Sequence, residues 1–188
     1  MNDNIFTIFD TETTGFSPAK GDKIIEIAAI KVCNGKVLEG QTFETFVNPM
    51  RELSFEAAQV NKITQDMVEN APTIEEVIPK FLEFIQGTKL VAHNAEFDMS
   101  FLEHEVLIWN PFEQLPEAFC TKILSRKIFP NEKFHNLDSI SYRLQIPKPE
   151  NARHRALTDV LLLAEVFEKL LQEGKVTSLE DLRRLATS

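Results

Sequence analysis

The chain has 188 residues, of which 43% are hydrophobic and 26% charged, and these proportions fit an ordinary globular protein with one sizeable core. The sequence has no apolar run near the roughly 20 residues of a membrane span and no signal-peptide pattern at its start, so we expect no membrane partner. Cys33 and Cys120 have no metal-ligand spacing and offer no disulfide framework, which predicts a protein of the reducing cytoplasm.

The net charge of −9, taken for the whole chain, argues against a nucleic-acid partner. The distribution of charge favours one. Residues 120–159 hold eight Lys and Arg against four Asp and Glu, whereas the rest of the chain holds twelve against twenty-five. A basic segment within an acidic protein suits a phosphate backbone, although a solvated helix face is the alternative.

The first 47 residues predict three antiparallel strands. Ile5–Phe9 is apolar and β-branched, which suits a buried strand, and residues 23–33 form the second strand. Asn34-Gly35 is a two-residue hairpin signal that joins this strand to a third over 37–47.

The periodicity then becomes helical. Short helices are predicted over 54–60 and 64–69. Residues 73–76 have the form of a capping box before an amphipathic helix that Gly87 ends. Pro79 lies inside this helix and is expected to kink it or to delay its regular part.

Two brief strands and further helices complete the chain. Leu90–Ala92 suits a fourth strand, parallel to the first because a crossover helix precedes it, and Phe119–Cys120 a fifth. Five more helices are predicted. One opens at 93–98, one is capped by Thr121, one is capped by Asn136, and a last short one starts at Ser178. Before the last, a long helix runs over 155–172 and buries Val160, Leu161, Ala164 and Phe167. The order β-β-β-α-β-α-β-α predicts an α/β fold, a mixed sheet flanked by helices.

Two carboxylates come directly after the first strand. Asp10 and Glu12 are two residues apart, so an extended chain points both side chains the same way. Burying such groups unpaired would cost several kcal/mol each, so we expect a cation between them, either a Lys or Arg side chain or a metal ion. The alternative is a strand that ends in a solvated acidic turn.

Two further acids and a histidine can join this pair. Asp98 lies early in the helix after the fourth strand. In α/β sheets, binding and catalytic sites form beyond the carboxyl ends of the strands, which is where this residue lies. The alternative is that the helix dipole alone favours an acid in this first turn. Asp159 interrupts an apolar helical run, and His154 precedes it on a loop or on the surface. Four acids and one His suit a site for two Mg²⁺ or Mn²⁺ ions, with the His as base.

Three stretches resemble the motifs of the DnaQ-like (DEDDh) 3′→5′ exonuclease family, in particular those of the epsilon proofreading subunit of bacterial DNA polymerase III. These are Asp10-Thr-Glu-Thr-Thr-Gly15, His93-Asn-Ala-Glu-Phe-Asp98 and His154-x-Ala-x-x-Asp159. The resemblance runs from Ile5 to about Leu170. It implies a ribonuclease H-like fold with five strands, strands 1–3 antiparallel and strands 4 and 5 parallel to strand 1. It also implies an exonuclease domain over 1–174 and a helical extension of that domain over 175–188.

The resemblance implies a role for each matching residue. Two ions, Mg²⁺ or Mn²⁺, would be held by Asp10, Glu12, Asp98 and Asp159, and His154 would take the proton from the attacking water. The 3′ end of the DNA would be bound by Thr13, Thr14, Gly15, Phe16, Val60, Asn61, Asn94 and Phe97. Phe16 would stack on the last base; the alternative role for this side chain is that of an ordinary buried core residue. This chain has Asn61-Lys62 where the epsilon type usually has His-Gly, which places the substrate preference in question.

Three functions follow from these residues. The first is a metal-dependent 3′→5′ exonuclease that releases nucleoside 5′-monophosphates from single-stranded or mismatched DNA, with a DNA polymerase catalytic subunit as a candidate partner. The second is an exoribonuclease that trims RNA 3′ ends. Protein groups that contact the 2′-OH would distinguish this enzyme from one that acts on DNA. The third is a catalytically idle scaffold for a polymerase, which the intact set of four acids and His154 argues against.

Overall fold

The computed structural model of the chain describes residues 4–147 and 155–187, which form one five-stranded sheet with helices on both faces. The strands are β1 (Ile5–Thr13), β2 (Ile24–Cys33), β3 (Lys36–Phe46), β4 (Lys89–Ala92) and β5 (Ala118–Cys120). The α-helices are α1 (Phe55–Asn61), α2 (Gln65–Val68), α3 (Ile74–Ile85), α4 (Ala95–Trp109), α5 (Thr121–Ile128), α6 (Leu137–Arg143), α7 (Ala156–Glu173) and α8 (Leu179–Ala186).

The sheet has the strand order β3-β2-β1-β4-β5. Its first three strands pair antiparallel, and β4 pairs parallel to both β1 and β5. The predicted mixed sheet is therefore confirmed, with β1 at its centre. Asn34 and Gly35 form the predicted hairpin turn with φ angles of +51° and +73°, the left-handed conformation that a tight two-residue hairpin needs.

β1 is longer than the apolar run that predicts it. It extends to Thr13, because its pairing with β2 continues past Phe9 and places Asp10 opposite Ala28 and Glu12 opposite Glu26. The two carboxylates thus lie within a paired strand near the centre of the sheet. They do not lie in a solvated turn after it, so that alternative is excluded.

Alternate residues of β1 face two separate apolar layers. Phe6 packs against Phe167 of α7 with ring centroids 5.3 Å apart, whereas Phe9 packs against Phe81 of α3 at 6.2 Å. Because Asp10 and Glu12 share the parity of Phe6, they point towards the α7 layer.

Three details of the predicted helices differ in the structure. α3 begins directly after Thr73 and continues through Pro79, so the proline does not delay it. Leu161 is 45% exposed, because the helical period places Val160, Ala164 and Phe167 on the inner face of α7 and leaves Leu161 at its border. Thr121 is the first residue of α5 and not its cap, and its hydroxyl lies 3.0 Å from Nδ1 of His93.

Across the described ranges, no helix combines the length and the apolar character that crossing a membrane requires.

Candidate active site

Three carboxylates meet beside the second half of β1. Asp10 and Glu12 come from β1, and Asp159 comes from the first turn of α7. One carboxylate oxygen from each residue lies within 4.8 Å of the other two, which makes this a group that could hold a metal ion. The carboxylate oxygens form the hard donor set that Mg²⁺ and Mn²⁺ prefer.

Asp98 approaches the same strand from the opposite layer. It is buried in the first turn of α4, and its Oδ1 accepts hydrogen bonds from the backbone N–H and the hydroxyl of Thr11 at 3.1 and 2.7 Å. It is not part of the compact group of three, yet its charge is the neighbouring charge that most raises the pKa of Asp10. Asp10 is therefore close to Glu12 and Asp159 and also within range of the charge of Asp98.

Burial and mutual repulsion disfavour the charged forms of these acids. Burial is the largest cause that raises the pKa of Asp10 well above its ordinary value, followed by the charge of Asp98. Burial, with the nearby charges of Asp159 and Glu26, raises the pKa of Glu12 to about 8. Burial also raises the pKa of Asp98 to about 7, although the hydrogen bonds from Thr11 act against this. A divalent cation among the carboxylates would remove the repulsion and release the protons.

The loop after β1 is closed by its own hydrogen bonds. Thr13 Oγ1 donates to the carbonyl oxygen of Gly15 at 2.6 Å, and Thr14 and Lys23 are joined by a backbone bond of 2.8 Å and a side-chain bond of 2.9 Å. A Cβ atom at Gly15 would lie 2.4 Å from Oδ1 of Asp22, so only glycine fits this position without a shift. Phe16 is 90% exposed on this loop, which excludes the core position that was its alternative.

A partly buried ion pair fixes the far end of the same loop. Lys23 Nζ lies 3.2 Å from Oε1 of Glu105, a buried acid on α4. The contact ties the loop to the helix that carries Asp98.

α1 supports the loop from another side. Asn61 is only 6% exposed, and its Nδ2 donates to the carbonyl oxygen of Thr13 at 2.7 Å, whereas the neighbouring Val60 is exposed. Lys62 follows with φ of +58°, the left-handed region that favours glycine. Asn61, the first residue of the pair that departs from the epsilon pattern, therefore contacts the end of β1 where this loop begins.

The remaining predicted substrate contacts lie at the start of α4. Asn94 is exposed with φ of +68°, and its Oδ1 accepts from Lys122 Nζ at 3.1 Å. Phe97 is half-buried and packs against Phe101 in a tilted arrangement, with ring centroids 5.2 Å apart. Burial lowers the pKa of the preceding His93 to about 4, so its imidazole is neutral at pH 7. His154 lies outside the described residues, and its role stays a prediction.

The predicted site includes neither Glu26, a fifth acid near Asp10 and Glu12, nor Arg155, the cation that pairs with it. Glu26 is 1% exposed on β2, and its Oε1 accepts two hydrogen bonds from Arg155, at 3.1 and 3.0 Å. The signal was present in the sequence, because one glutamate interrupts the apolar run Ile24–Ile30 and a buried acid needs a cation.

The fold and the acidic group agree with the comparison to known proteins. Residues 7–167 match the RNase_T family of exonucleases. The chain belongs to this exonuclease family. Membership confirms the predicted enzyme class, a 3′→5′ exonuclease, and the ribonuclease H-like fold. The family depends on a divalent metal, and the group formed by Asp10, Glu12 and Asp159 fits that requirement.

Three similar proteins illustrate the family. The chain is 39% identical over 168 residues to the DNA polymerase III subunit epsilon of Rickettsia conorii, which covers 87% of this chain and 72% of that protein. It is 43% identical over 175 residues to a DNA polymerase III subunit epsilon-like protein of Rhodobacter capsulatus, covering 93% of this chain and 25% of that protein. The chain thus spans about a quarter of the length of the second relative.

A solved structure of exonuclease X in complex with 5′ overhanging duplex DNA superposes with a TM-score of 0.76 at 29% identity, covering 96% of this chain and 98% of that one. The predicted likeness to the epsilon subunit is confirmed by the relatives from R. conorii and R. capsulatus.

Proposed function

We propose that this exonuclease uses two Mg²⁺ or Mn²⁺ ions to remove nucleotides from the 3′ end of single-stranded or mismatched DNA, releasing nucleoside 5′-monophosphates in the proofreading of DNA polymerase III. The observation that carries the proposal is the meeting of Asp10, Glu12 and Asp159 within 4.8 Å, beside a loop that exposes Phe16. The names of the epsilon relatives support the proofreading role.

The ligand assignment follows the position of each acid. Asp10 belongs to the group of three carboxylates and is within range of the charge of Asp98, so it would contribute to both ions; Glu12 and Asp159 would complete one, and Asp98 would hold the other. Thr11 fixes the Asp98 carboxylate with two hydrogen bonds, which orients it towards β1. When bound, two such metal ions stabilise the attacking and leaving oxygens of a phosphodiester. His154 would accept the proton of the attacking water.

The loop after β1 would hold the end of the DNA strand. Thr13, Thr14 and Gly15 are fixed by the bonds that close the loop, and Asn61 donates a hydrogen bond to the carbonyl oxygen of Thr13. Phe16 presents its ring to solvent and would stack on the terminal base. Val60, Asn94 and Phe97 remain proposed contacts at the margins of this pocket.

Replacing Phe16 with Ala should raise the KM for single-stranded DNA about tenfold, because stacking of one base on an aromatic ring contributes roughly 1–3 kcal/mol. The melting temperature should not change, since the ring is exposed. Phe112→Ala is the matched control, because Phe112 is also 90% exposed but lies on the loop after α4. Steady-state kinetics of both variants measure the effect. Equal KM values for the two variants would remove the stacking role.

The proposed substrate is tested with 5′-labelled single strands of DNA and RNA and with primers that have matched or mismatched 3′ ends, each with and without Mg²⁺. We expect metal-dependent shortening from the 3′ end that is fastest on single-stranded and mismatched DNA. Faster loss of RNA would favour the exoribonuclease, and the absence of cleavage on every strand would favour the idle scaffold.

We further propose that residues 1–174 form the exonuclease domain, with 175–188 as its helical extension. Leu182 and Ala186 of α8 are buried in the α7 layer, and Arg183 forms a bidentate pair with Glu117 at 2.8 Å, which supports α8 as an extension of the same domain. A DNA polymerase catalytic subunit as partner and a cytoplasmic location are part of the same proposal.

A further inference from the structure

Glu26 is a buried carboxylate that the proposed ligand set does not include. The register of β1 and β2 places it directly opposite Glu12, and it adds negative charge to a cluster that already repels itself. An apolar residue at this position would avoid that repulsion. A buried acid here therefore needs both a compensating cation and a structural reason.

Both oxygens of Glu26 bind the start of α7. Oε1 accepts from Nε and Nη2 of Arg155 at 3.1 and 3.0 Å, and Oε2 accepts the backbone N–H of Ala156 at 3.1 Å. The guanidinium of Arg155 also lies over the ring of Phe46, 4.9 Å from its centroid. One side chain of the sheet thus holds the N-cap residue and the first residue of α7.

The held segment leads directly to a proposed metal ligand. The carbonyl oxygen of Arg155 accepts the backbone N–H groups of Thr158 at 2.9 Å and Asp159 at 3.2 Å. Asp159 is therefore one helical turn from the residue that Glu26 binds. Glu26 connects the strand pair that presents Glu12 with the helix that presents Asp159.

We propose that the Glu26–Arg155 pair is a positioning device, which fixes the start of α7 so that Asp159 meets Asp10 and Glu12. The inference rests on the proposed function, because it concerns how that ligand set is held together. A second acid near Arg155 provides a control. Glu44 Oε1 lies 3.9 Å from Arg155 Nη2, but Glu44 is exposed on β3 and is not part of the proposed site.

The test compares Arg155→Met, Arg155→Lys and the double variant Glu26→Gln/Arg155→Met with wild type and Glu44→Gln. Calorimetry measures Mn²⁺ binding to the metal-free proteins, and kinetics on single-stranded DNA give kcat and KM. We expect Arg155→Met to weaken Mn²⁺ binding and to lower kcat, each about tenfold, because groups that orient metal ligands have effects of this size. The KM should stay within twofold, and Glu44→Gln should behave as wild type.

The other variants separate positioning from stability. Arg155→Lys keeps the charge but cannot donate from two nitrogens in a fixed geometry, so it should fold and lose about threefold in both Mn²⁺ affinity and kcat. The double variant removes both charges, and its Gln carbonyl can still accept from Ala156. It should regain the wild-type melting temperature, while Mn²⁺ affinity and kcat stay low.

Each contrary result has one meaning. Wild-type Mn²⁺ affinity and kcat in Arg155→Lys and in the folded double variant would make the pair a stability element and overturn the inference. A raised KM with unchanged Mn²⁺ binding would assign Arg155 to the DNA and would also overturn it. If wild type neither bound Mn²⁺ nor cleaved DNA, the proposed function itself would be wrong.

Discussion

Replacing Asp10 with Asn should lower the exonuclease rate about a thousandfold or more. Asp10 is close to Glu12 and Asp159 and within range of the charge of Asp98, so its loss would weaken the binding of both proposed ions. A metal ion contributes several kcal/mol of charge stabilisation in the transition state, and each 1.36 kcal/mol corresponds to tenfold in rate. The measurement is the initial rate of shortening of 5′-labelled single-stranded DNA at saturating Mn²⁺.

The same variant should fold as well as wild type. Without metal, its melting temperature should equal or exceed that of wild type, because the substitution removes one charge from a repelling cluster. Asp66→Asn, at an exposed acid in the first turn of α2, is the control and should change neither quantity. A rate within tenfold of wild type for Asp10→Asn would show that Asp10 is not a ligand that the reaction needs.

In the absence of divalent cations, the free energy of unfolding should fall by on the order of a few kcal/mol between pH 5 and pH 8. The pKa of Glu12 rises from its ordinary value of 4.5 to about 8 in the folded protein, and that of Asp98 rises to about 7. At pH values between the pKa of each acid in the unfolded chain and its pKa in the folded protein, the native state holds more protons than the unfolded chain. Stability therefore declines as the pH rises from the ordinary pKa values of these acids through their raised pKa values in the folded protein.

Divalent cations should reverse this loss. Mn²⁺ replaces the protons on the carboxylates, so it should raise the melting temperature more at pH 8 than at pH 5.5. Thermal melts of wild type and Asp10→Asn at both pH values, with EDTA or with Mn²⁺, measure the effect. The variant should show a smaller decline with pH and a smaller Mn²⁺ shift. A pH profile that is identical for the two proteins would contradict the electrostatic description of the cluster.

Much of the fold follows from local patterns in the sequence. The apolar run before Asp10, the Asn34-Gly35 turn and the capping box at Thr73 each specify an element through contacts between residues close in the chain, and the structure has each of them. The spacing of Asp10 and Glu12 likewise places both on one face of β1, whatever the rest of the chain does.

Other features of the site depend on contacts that no local pattern records. Glu26 and Arg155 are 129 positions apart, and Asn61 and Thr13 are 48 apart. Asp98 reaches the site from the layer opposite Asp159, where Thr11 holds it. These contacts arise only when the two layers close on the sheet, which is why composition and periodicity do not reveal them.

Anomalous diffraction from crystals soaked in Mn²⁺ tests directly whether these carboxylates hold metal ions. We expect manganese bound by carboxylate oxygens of Asp10, Glu12 and Asp159, and a second ion bound by Asp10 and Asp98. Carboxylates that keep their positions with no manganese among them, under conditions in which the enzyme cleaves DNA, would show that they are not metal ligands.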